Sequence, residues 1–168
     1  MLIFMTGMMG SGKSTVGESL AALMSIPFVD LDREIANRVG MSIPEIFANH
    51  GEEFFRAKER EELKNACTLQ KSVVSLGGGA LCSDDAWALI PTNAHAVWLK
   101  ASPQTLLERL KGSSDRPLLD HQPEETLKTM LNDRNAWYSK AEFHITTDAK
   151  EPHVISREIL SVLSGGVT

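Results

Sequence analysis

The sequence predicts an α/β protein built on a parallel β-sheet. Five short apolar runs alternate with longer segments in which apolar residues recur at helical spacing, which is the pattern of strands joined by helical crossovers. A glycine-rich stretch ending in Gly-Lys-Ser follows the first run directly and precedes a helix-like segment. Together these observations favour a sheet covered on both faces, with a ligand site at its carboxyl edge.

Four of the five predicted strands are nearly continuous runs of apolar or β-branched residues, as expected for strands buried on both faces. The strands are LIFMT (2–6), PFVD (27–30), SVVSL (72–76), HAVWLK (95–100) and FHITT (143–147). Helical spacing predicts helices over 14–24, 52–67, 103–110, 123–138 and 153–163. The apolar stripe of the first helix is expected on Val16, Leu20, Leu23 and Met24.

The segment SIPEIFANHG predicts a further helix with clear start and stop signals. Ser42 and Glu45 have the spacing of a capping box, and Pro44 falls in the first turn. Gly51 is expected to lie just past the carboxyl end.

A different composition marks KGSSDRPLLDHQPEE, residues 111–125. This segment is polar, is interrupted by one glycine and two prolines, and joins two predicted helices, which predicts a long mobile loop. In an α/β protein, such a loop near the carboxyl edge of the sheet often acts as a lid over the ligand.

Bulk composition places the chain among soluble globular proteins. Its 168 residues suit one domain, and 42% hydrophobic and 23% charged residues are ordinary values. The formal net charge of −5 and the absence of a basic run disfavour a nucleic-acid partner. No apolar run approaches the roughly 20 residues of a membrane span, and the amino terminus lacks the pattern of a secretory signal. We therefore expect a cytoplasmic protein, and a monomer.

Cysteine and histidine patterns add no separate site. Cys67 and Cys82 are too few for a disulfide framework and lack CxxC spacing, so reduced thiols are expected. The five histidines do not have the spacing of metal ligands.

The first site motif is GMMGSGKST, residues 7–15. It satisfies the phosphate-loop pattern Gly7-x-x-x-x-Gly12-Lys13-Ser14 in the required context of a strand before and a helix after. Glycines let backbone N–H groups converge on phosphate oxygens, and the helix amino terminus favours negative charge. Lys13 would reach the β- and γ-phosphates and the Ser14 hydroxyl could ligate Mg²⁺, so the loop predicts a site for a nucleoside triphosphate.

Asp30 and Asp32 end the second predicted strand. Two residues apart in an extended chain, both carboxylates would point to one side at the carboxyl edge of the sheet. One could hold Mg²⁺ through water while the other orients or deprotonates an acceptor hydroxyl. The alternative is that Asp32 only caps the helix of DREIANRVG.

Further candidates are a triglycine and three arginines. Gly77, Gly78 and Gly79 close the third strand, where a ligand that touches backbone would require them, although a plain wide turn is the alternative. Arg56 and Arg134 could capture a carboxylate, and Arg116 in the predicted lid could meet the γ-phosphate. Exposed helical ion pairs, or for Arg116 a solvated loop charge, are the alternatives.

Taken in order, these motifs resemble the shikimate kinase family over nearly the whole chain. The matching pieces are GMMGSGKST (7–15), FVDLD (28–32), GEEFFR (51–56), SLGGG (75–79), RPLL (116–119) and the arginine of NDRNAWY at 134. The resemblance implies a three-layer P-loop NTPase fold with a five-stranded parallel sheet, a substrate-binding helical region near 31–60 and a lid near 111–125, all in one domain spanning 1–168. The implied reaction is ATP-dependent phosphorylation of the 3-hydroxyl of shikimate, on the route to chorismate and the aromatic amino acids.

The same resemblance implies roles for individual residues. Lys13, Asp32 and Arg116 would be catalytic, and Mg²⁺ would be held by Ser14 and, through water, by Asp30. Shikimate would contact Asp32, Arg56, Gly77, Gly78, Gly79 and Arg134. ATP would contact Gly10, Ser11, Gly12, Lys13, Ser14, Thr15, Arg109, Arg116 and Pro152, with Arg109 and the segment near Pro152 flanking the adenine.

Two alternatives concern function. The same fold could act on another acceptor, such as gluconate or a nucleoside monophosphate, although paired arginines favour a compact carboxylate over a nucleotide. A relative that binds nucleotide without turnover is a different class, and the presence of Lys13, Ser14, Asp32 and Arg116 together disfavours it.

Overall fold

The computed structural model describes residues 1–111 and 123–165. Its strands are β1 (Leu2–Thr6), β2 (Phe28–Asp30), β3 (Ser72–Ser75), β4 (His95–Lys100) and β5 (Phe143–Thr146). They form one sheet in the order β2-β3-β1-β4-β5, and every neighbouring pair is parallel. The five predicted strands are therefore confirmed, with β2, β3 and β5 each shorter by one residue.

Helices separate the strands. They are α1 (Lys13–Met24), α2 (Leu31–Val39), α3 (Ile43–Ala66), α4 (Asp84–Trp87), α5 (Pro103–Leu110), α6 (Pro123–Tyr138) and α7 (Pro152–Gly165). From central β1 the chain crosses to the edge strand β2, returns to β3 beside β1, and then builds outward through β4 and β5 on the other side. The crevice beside β1, where the direction of crossover changes, is the place where such sheets bind ligands.

One face of the sheet is covered by α1 and α7. Val16 and Leu20 of α1 pack with Ile155 and Ile159 of α7 over the buried strand residues. The predicted stripe of α1 was partly wrong, because Leu23 is 46% exposed. The helix lies so close to β2 that a Cβ on Gly17 would stand 2.6 Å from the Phe28 ring, so the small face of Gly17 and Ala21 turns toward the sheet.

The opposite face is covered by α3 to α6. Leu63 packs near β1 and β3, while Leu106, Leu127 and Tyr138 pack against Trp98 and the phosphate loop. The three-layer α/β architecture is therefore confirmed.

Helices α2 and α3 add a small core of their own outside the sheet. Ile35, Ile46 and Phe55 are buried in it, and Arg38 of α2 lies 2.6 Å from the buried Glu62 of α3. This unit forms one wall of the cavity at the carboxyl edge of the sheet.

The start and stop signals of the SIPEIFANHG helix are both confirmed. Ser42 and Glu45 form a capping box at the start of α3. Gly51, with φ 80° and ψ 176°, is non-helical and forms a kink that separates the predicted helix from the second helical stretch of α3. Its positive φ suits glycine.

The sequence predicts no membrane-spanning segment, and the helices of the structure can be compared with that prediction. Across residues 1–111 and 123–165, no helix has the length and apolar character needed to cross a bilayer.

Candidate active site

The phosphate loop joins β1 to α1. A Cβ on Gly7 would stand 2.5 Å from the carbonyl oxygen of Leu99, so only glycine allows this close approach to β4. Gly12, with φ 95°, is the N-cap of α1, and no side chain caps the helix there. The first-turn N–H groups, including those of Ser14 and Thr15, are therefore not consumed by a capping side chain, which is the arrangement that binds phosphate.

Lys13 lies buried under the loop. Its Nζ donates hydrogen bonds of 2.9 Å to the carbonyl oxygens of Gly7 and of Met8. The ammonium group is thereby held inside the curve of the loop that Gly10 and Ser11 complete, which is the position from which it can meet a bound phosphate.

Oxygen atoms gather where α1 meets the ends of β2 and β3. The Ser14 hydroxyl donates to Oδ2 of Asp30 and lies 3.3 Å from the Ser75 hydroxyl. Asp30 also accepts from the backbone N–H groups of Asp32 and Arg33, at 3.1 and 3.3 Å. Asp30 is therefore the N-cap of α2, and the alternative in which Asp32 caps that helix was wrong.

Asp32 faces a different direction from Asp30. The chain leaves the extended conformation at Leu31, where α2 begins, so the expectation that both carboxylates point to one side was wrong. Asp30 faces Ser14, whereas Oδ1 of Asp32 lies 3.0 Å from the position that a Cβ on Gly77 would take. The turn into α2 thus sends one carboxylate toward the phosphate loop and the other into the cavity.

A cavity of about 420 Å³ opens beside the phosphate loop. It brings together the predicted acceptor-site residues from four separate segments: Asp32, Arg56, Gly77, Gly78, Gly79 and Arg134. Pro44, Phe47 and Phe55 supply an apolar wall from α3. The cavity thus combines carboxylates, guanidinium groups and backbone in a single volume suited to a small polar ligand.

Glu59, which the motifs did not single out, lies in the same cavity. Its carboxylate is 2.7 Å from Arg56 and its side chain is only 5% exposed. Burial raises the pKa of Glu59 above its ordinary value, and Arg56 opposes that rise. In the sequence Glu59 stood out only as the ion-pair partner of Arg56 at helical spacing, which is a common surface pattern.

Arg56 has two acidic neighbours of different character. Burial disfavours its charge, but Glu59 and Glu52 together raise the pKa of Arg56 above its ordinary value. Glu52 lies 3.3 Å away and is 65% exposed, so its contribution is screened by water. The helical ion pair considered as an alternative is therefore present, and it is partly buried in the cavity.

The triglycine follows β3 and is packed against these charges. A Cβ on Gly77 would stand 2.7 Å from Oε1 of Glu59, and a Cβ on Gly79 would stand 2.5 Å from Nη1 of Arg56. Gly77 and Gly79 therefore allow a close approach of side chains that a plain wide turn would not require, whereas a Cβ on Gly78 would make its nearest contact at 3.4 Å.

Arg109 connects the phosphate loop to the loop after β5. Its guanidinium donates to the carbonyl oxygens of Gly10 and Ser11, at 3.2 and 3.4 Å, and to the hydroxyl and carbonyl oxygens of Thr147. Pro152 begins α7 shortly after Thr147. Of the two residues expected to flank the adenine, Arg109 therefore contacts the phosphate loop, and Pro152 lies on the segment that follows Thr147.

Two predictions concern residues that the structure does not describe. Arg116 lies outside the described residues, as does most of the predicted lid 111–125.

Among the residues that are described, no group of three or more histidine, cysteine, aspartate or glutamate side chains could hold a metal ion by itself.

Comparisons with known proteins show which family the chain resembles. A sequence model of the family described as "Shikimate kinase" matches residues 9–164. A shikimate kinase from Sulfurihydrogenibium sp. is 42% identical over 159 residues, covering 95% of each chain. A shikimate kinase from Aquifex aeolicus is 38% identical over 165 residues, covering 98% of this chain and 97% of the relative.

The solved structures include the same family. A shikimate kinase from Acinetobacter baumannii in complex with shikimate superposes with a TM-score of 0.95 at 32% identity, covering 99% of this chain and 95% of that one. With the family model matching nearly the whole chain and relatives near 40% identity, this chain belongs to the shikimate kinase family.

Proposed function

We propose that this protein transfers the γ-phosphoryl group of ATP to the 3-hydroxyl of shikimate, giving shikimate 3-phosphate and ADP. The observation that carries the proposal is the juxtaposition of two sites. The cavity with Asp32, Arg56 and Arg134 adjoins the phosphate loop, because the Cβ position of Gly78 lies 3.4 Å from Arg134 and 3.5 Å from both Gly7 and Met9. An acceptor bound there would have its hydroxyl next to the γ-phosphate.

The acceptor site matches the chemistry of shikimate. Arg56 and Arg134 would bind the carboxylate through bidentate hydrogen bonds, while Gly77, Gly78 and Gly79 line the ring. Asp32 would accept a hydrogen bond from the 3-hydroxyl and aim its oxygen at phosphorus. Because most of the cavity wall comes from α2 and α3, residues 31–60 are proposed as the substrate-binding region.

The donor site would take the phosphates of ATP on the loop and the start of α1. Backbone N–H groups from Gly10 to Thr15 would surround the phosphates, and Lys13 would exchange its two backbone partners for phosphate oxygens. Arg109 and Pro152 would flank the adenine. Arg116 is proposed to neutralise the transferring phosphoryl group from the lid, residues 111–125.

The oxygen cluster at Ser14 fits Mg²⁺. This ion prefers oxygen ligands and is usually held by one or two protein groups together with nucleotide phosphates and water. Ser14 would ligate it directly and Asp30 would hold it through water. When bound, Mg²⁺ would neutralise phosphate charge.

Positioning and charge neutralisation would supply most of the catalysis. Both substrates are anions, so cationic groups must offset their repulsion, and Lys13, Arg56 and Arg134 lie where they can do so. We propose a single kinase domain, 1–168, that acts as a cytoplasmic monomer.

A coupled assay of ADP release with Mg·ATP tests the proposal. Parallel reactions would contain shikimate, gluconate or AMP, and one set would include EDTA. Turnover that requires both shikimate and free Mg²⁺ is the expected result. Turnover with another acceptor alone would overturn the substrate assignment, and turnover with none of the three would overturn the assignment as an active kinase.

A further inference from the structure

Tyr138 connects the end of α6 to the triglycine turn. The residue is fully buried, and its hydroxyl donates a hydrogen bond of 2.6 Å to the carbonyl oxygen of Gly78. The Cys82 thiol is a second, longer donor to the same oxygen, at 3.7 Å. The carbonyl of Gly78 is thus held by donors from α6 and from Cys82.

The guanidinium of Arg134, one helical turn earlier on α6, lies near enough for its charge to oppose the rise that burial causes in the pKa of Tyr138. Nη1 of Arg134 also lies 3.4 Å from the Cβ position of Gly78. The phenol therefore binds a backbone segment, and neighbours a guanidinium, that both line the proposed shikimate site. Gly78 in turn touches the phosphate loop through Gly7 and Met9.

The phenol is suited to a fixed, neutral role. Burial raises the pKa of Tyr138 far above its ordinary value, so the group stays a hydrogen-bond donor throughout the physiological range. Its ring packs against Trp98, with ring centroids 5.8 Å apart. Phenylalanine would keep this packing and remove only the hydroxyl.

We propose that Tyr138 is a positioning residue for the acceptor site, holding Gly78 and Arg134 in the arrangement that binds shikimate. This inference rests on the proposed function, since the ligand of the site is the one proposed above. Tyr138 would act through these two neighbours, with no contact to the reacting atoms.

The test compares Tyr138→Phe with Ser156→Ala. Ser156 is also buried, and its hydroxyl donates to the carbonyl oxygens of Val16 and Pro152 at 3.2 and 2.8 Å, on the opposite face of the sheet. In Tyr138→Phe, the KM for shikimate should rise about 5- to 30-fold while kcat and the KM for ATP stay within about twofold. Ser156→Ala should leave the KM for shikimate unchanged.

Hydrogen exchange without any ligand gives an independent readout. Amides of the turn at 77–82 should exchange faster in Tyr138→Phe than in the parent or in Ser156→Ala. The inference would be overturned if the KM for shikimate or the exchange rate of the turn amides were unchanged in Tyr138→Phe. It would also be overturned if the KM values for shikimate and ATP rose equally, in proportion to a loss of thermal stability. If the parent protein does not phosphorylate shikimate, the proposed function fails, and exchange at the turn still decides whether Tyr138 holds it.

Discussion

The Arg56 guanidinium and the Glu59 carboxylate lie 2.7 Å apart inside the cavity, and Glu59 is almost completely buried. This pair uses Nη1 of Arg56, whereas the exposed Glu52 engages Nε and Nη2 at 3.4 and 3.3 Å. One acidic neighbour therefore fixes the orientation of the guanidinium, and the other occupies donors that a substrate carboxylate could take over.

Replacing Arg56 with alanine should remove shikimate binding and spare ATP binding. The substitution deletes one half of the proposed carboxylate site, and the KM for shikimate should rise by about 100-fold or more. Calorimetry with each substrate separately would measure both affinities. Loss of ATP affinity, with shikimate affinity retained, would show that Arg56 does not bind the carboxylate.

Replacing Glu52 with glutamine should lower the KM for shikimate, whereas replacing Arg56 raises it. Glu52 competes with the substrate for Arg56, but its exposure makes the competition weak, so the KM for shikimate should fall by no more than about fivefold. The effect should shrink at high salt, because the ion pair is screened. Glu53→Gln, on the neighbouring exposed position, is the matched control. A raised KM in Glu52→Gln alone would mean that Glu52 supports substrate binding.

Glu59 should make stability depend on pH. Since burial raises the pKa of Glu59 above 4.5, its stabilising contribution is complete below about pH 4.5 and is lost as pH rises through the raised pKa. Glutamine does not titrate, so the free energy of unfolding of Glu59→Gln relative to the parent should increase over this window. Urea unfolding at several pH values measures it. Glu61→Gln, on the exposed side of α3, should show no such increase. If the free energy of unfolding of Glu59→Gln and of the parent changed with pH in parallel, the result would contradict the argument.

Replacing Gly79 with alanine should disturb Arg56 more than the fold. The added Cβ would stand 2.5 Å from Nη1 of Arg56, and the flexible arginine can move aside at little cost in stability. The KM for shikimate should therefore rise about tenfold while the thermal midpoint changes little. Gly165→Ala at the end of α7, where nothing lies within 4 Å, is the control. An unchanged KM would show that the position of Nη1 is not needed for binding.

Replacing Lys13 with alanine should abolish turnover. The change removes the cation nearest the proposed γ-phosphate, and kcat should fall at least about 1000-fold. Lys71→Ala, at an exposed position before β3, should keep full activity. Single-turnover measurements would separate this loss from weaker ATP binding. A Lys13→Ala variant with most of its activity would contradict the role of the phosphate loop.

The sequence by itself determined the elements whose signals are local. Apolar runs predicted all five strands, and the spacing from Gly7 to Ser14 predicted the phosphate loop. Both signals depend only on residues that are close together in the sequence. The capping box at Ser42 is local in the same sense. The family resemblance added Arg56 and Arg134 as partners, which spacing alone could not distinguish from surface arginines.

Only the tertiary structure decided which side chains meet. Asp30 and Asp32 diverge because α2 begins between them, and Leu23 of α1 is exposed because Gly17 lets that helix approach β2. Glu59 acquires its significance from packing against Gly77, and Tyr138 from its contact with Gly78, and both contacts form only after the sheet has brought distant segments to one edge. Burial and charge pairing depend on those distances in space, and residue order along the chain does not specify them.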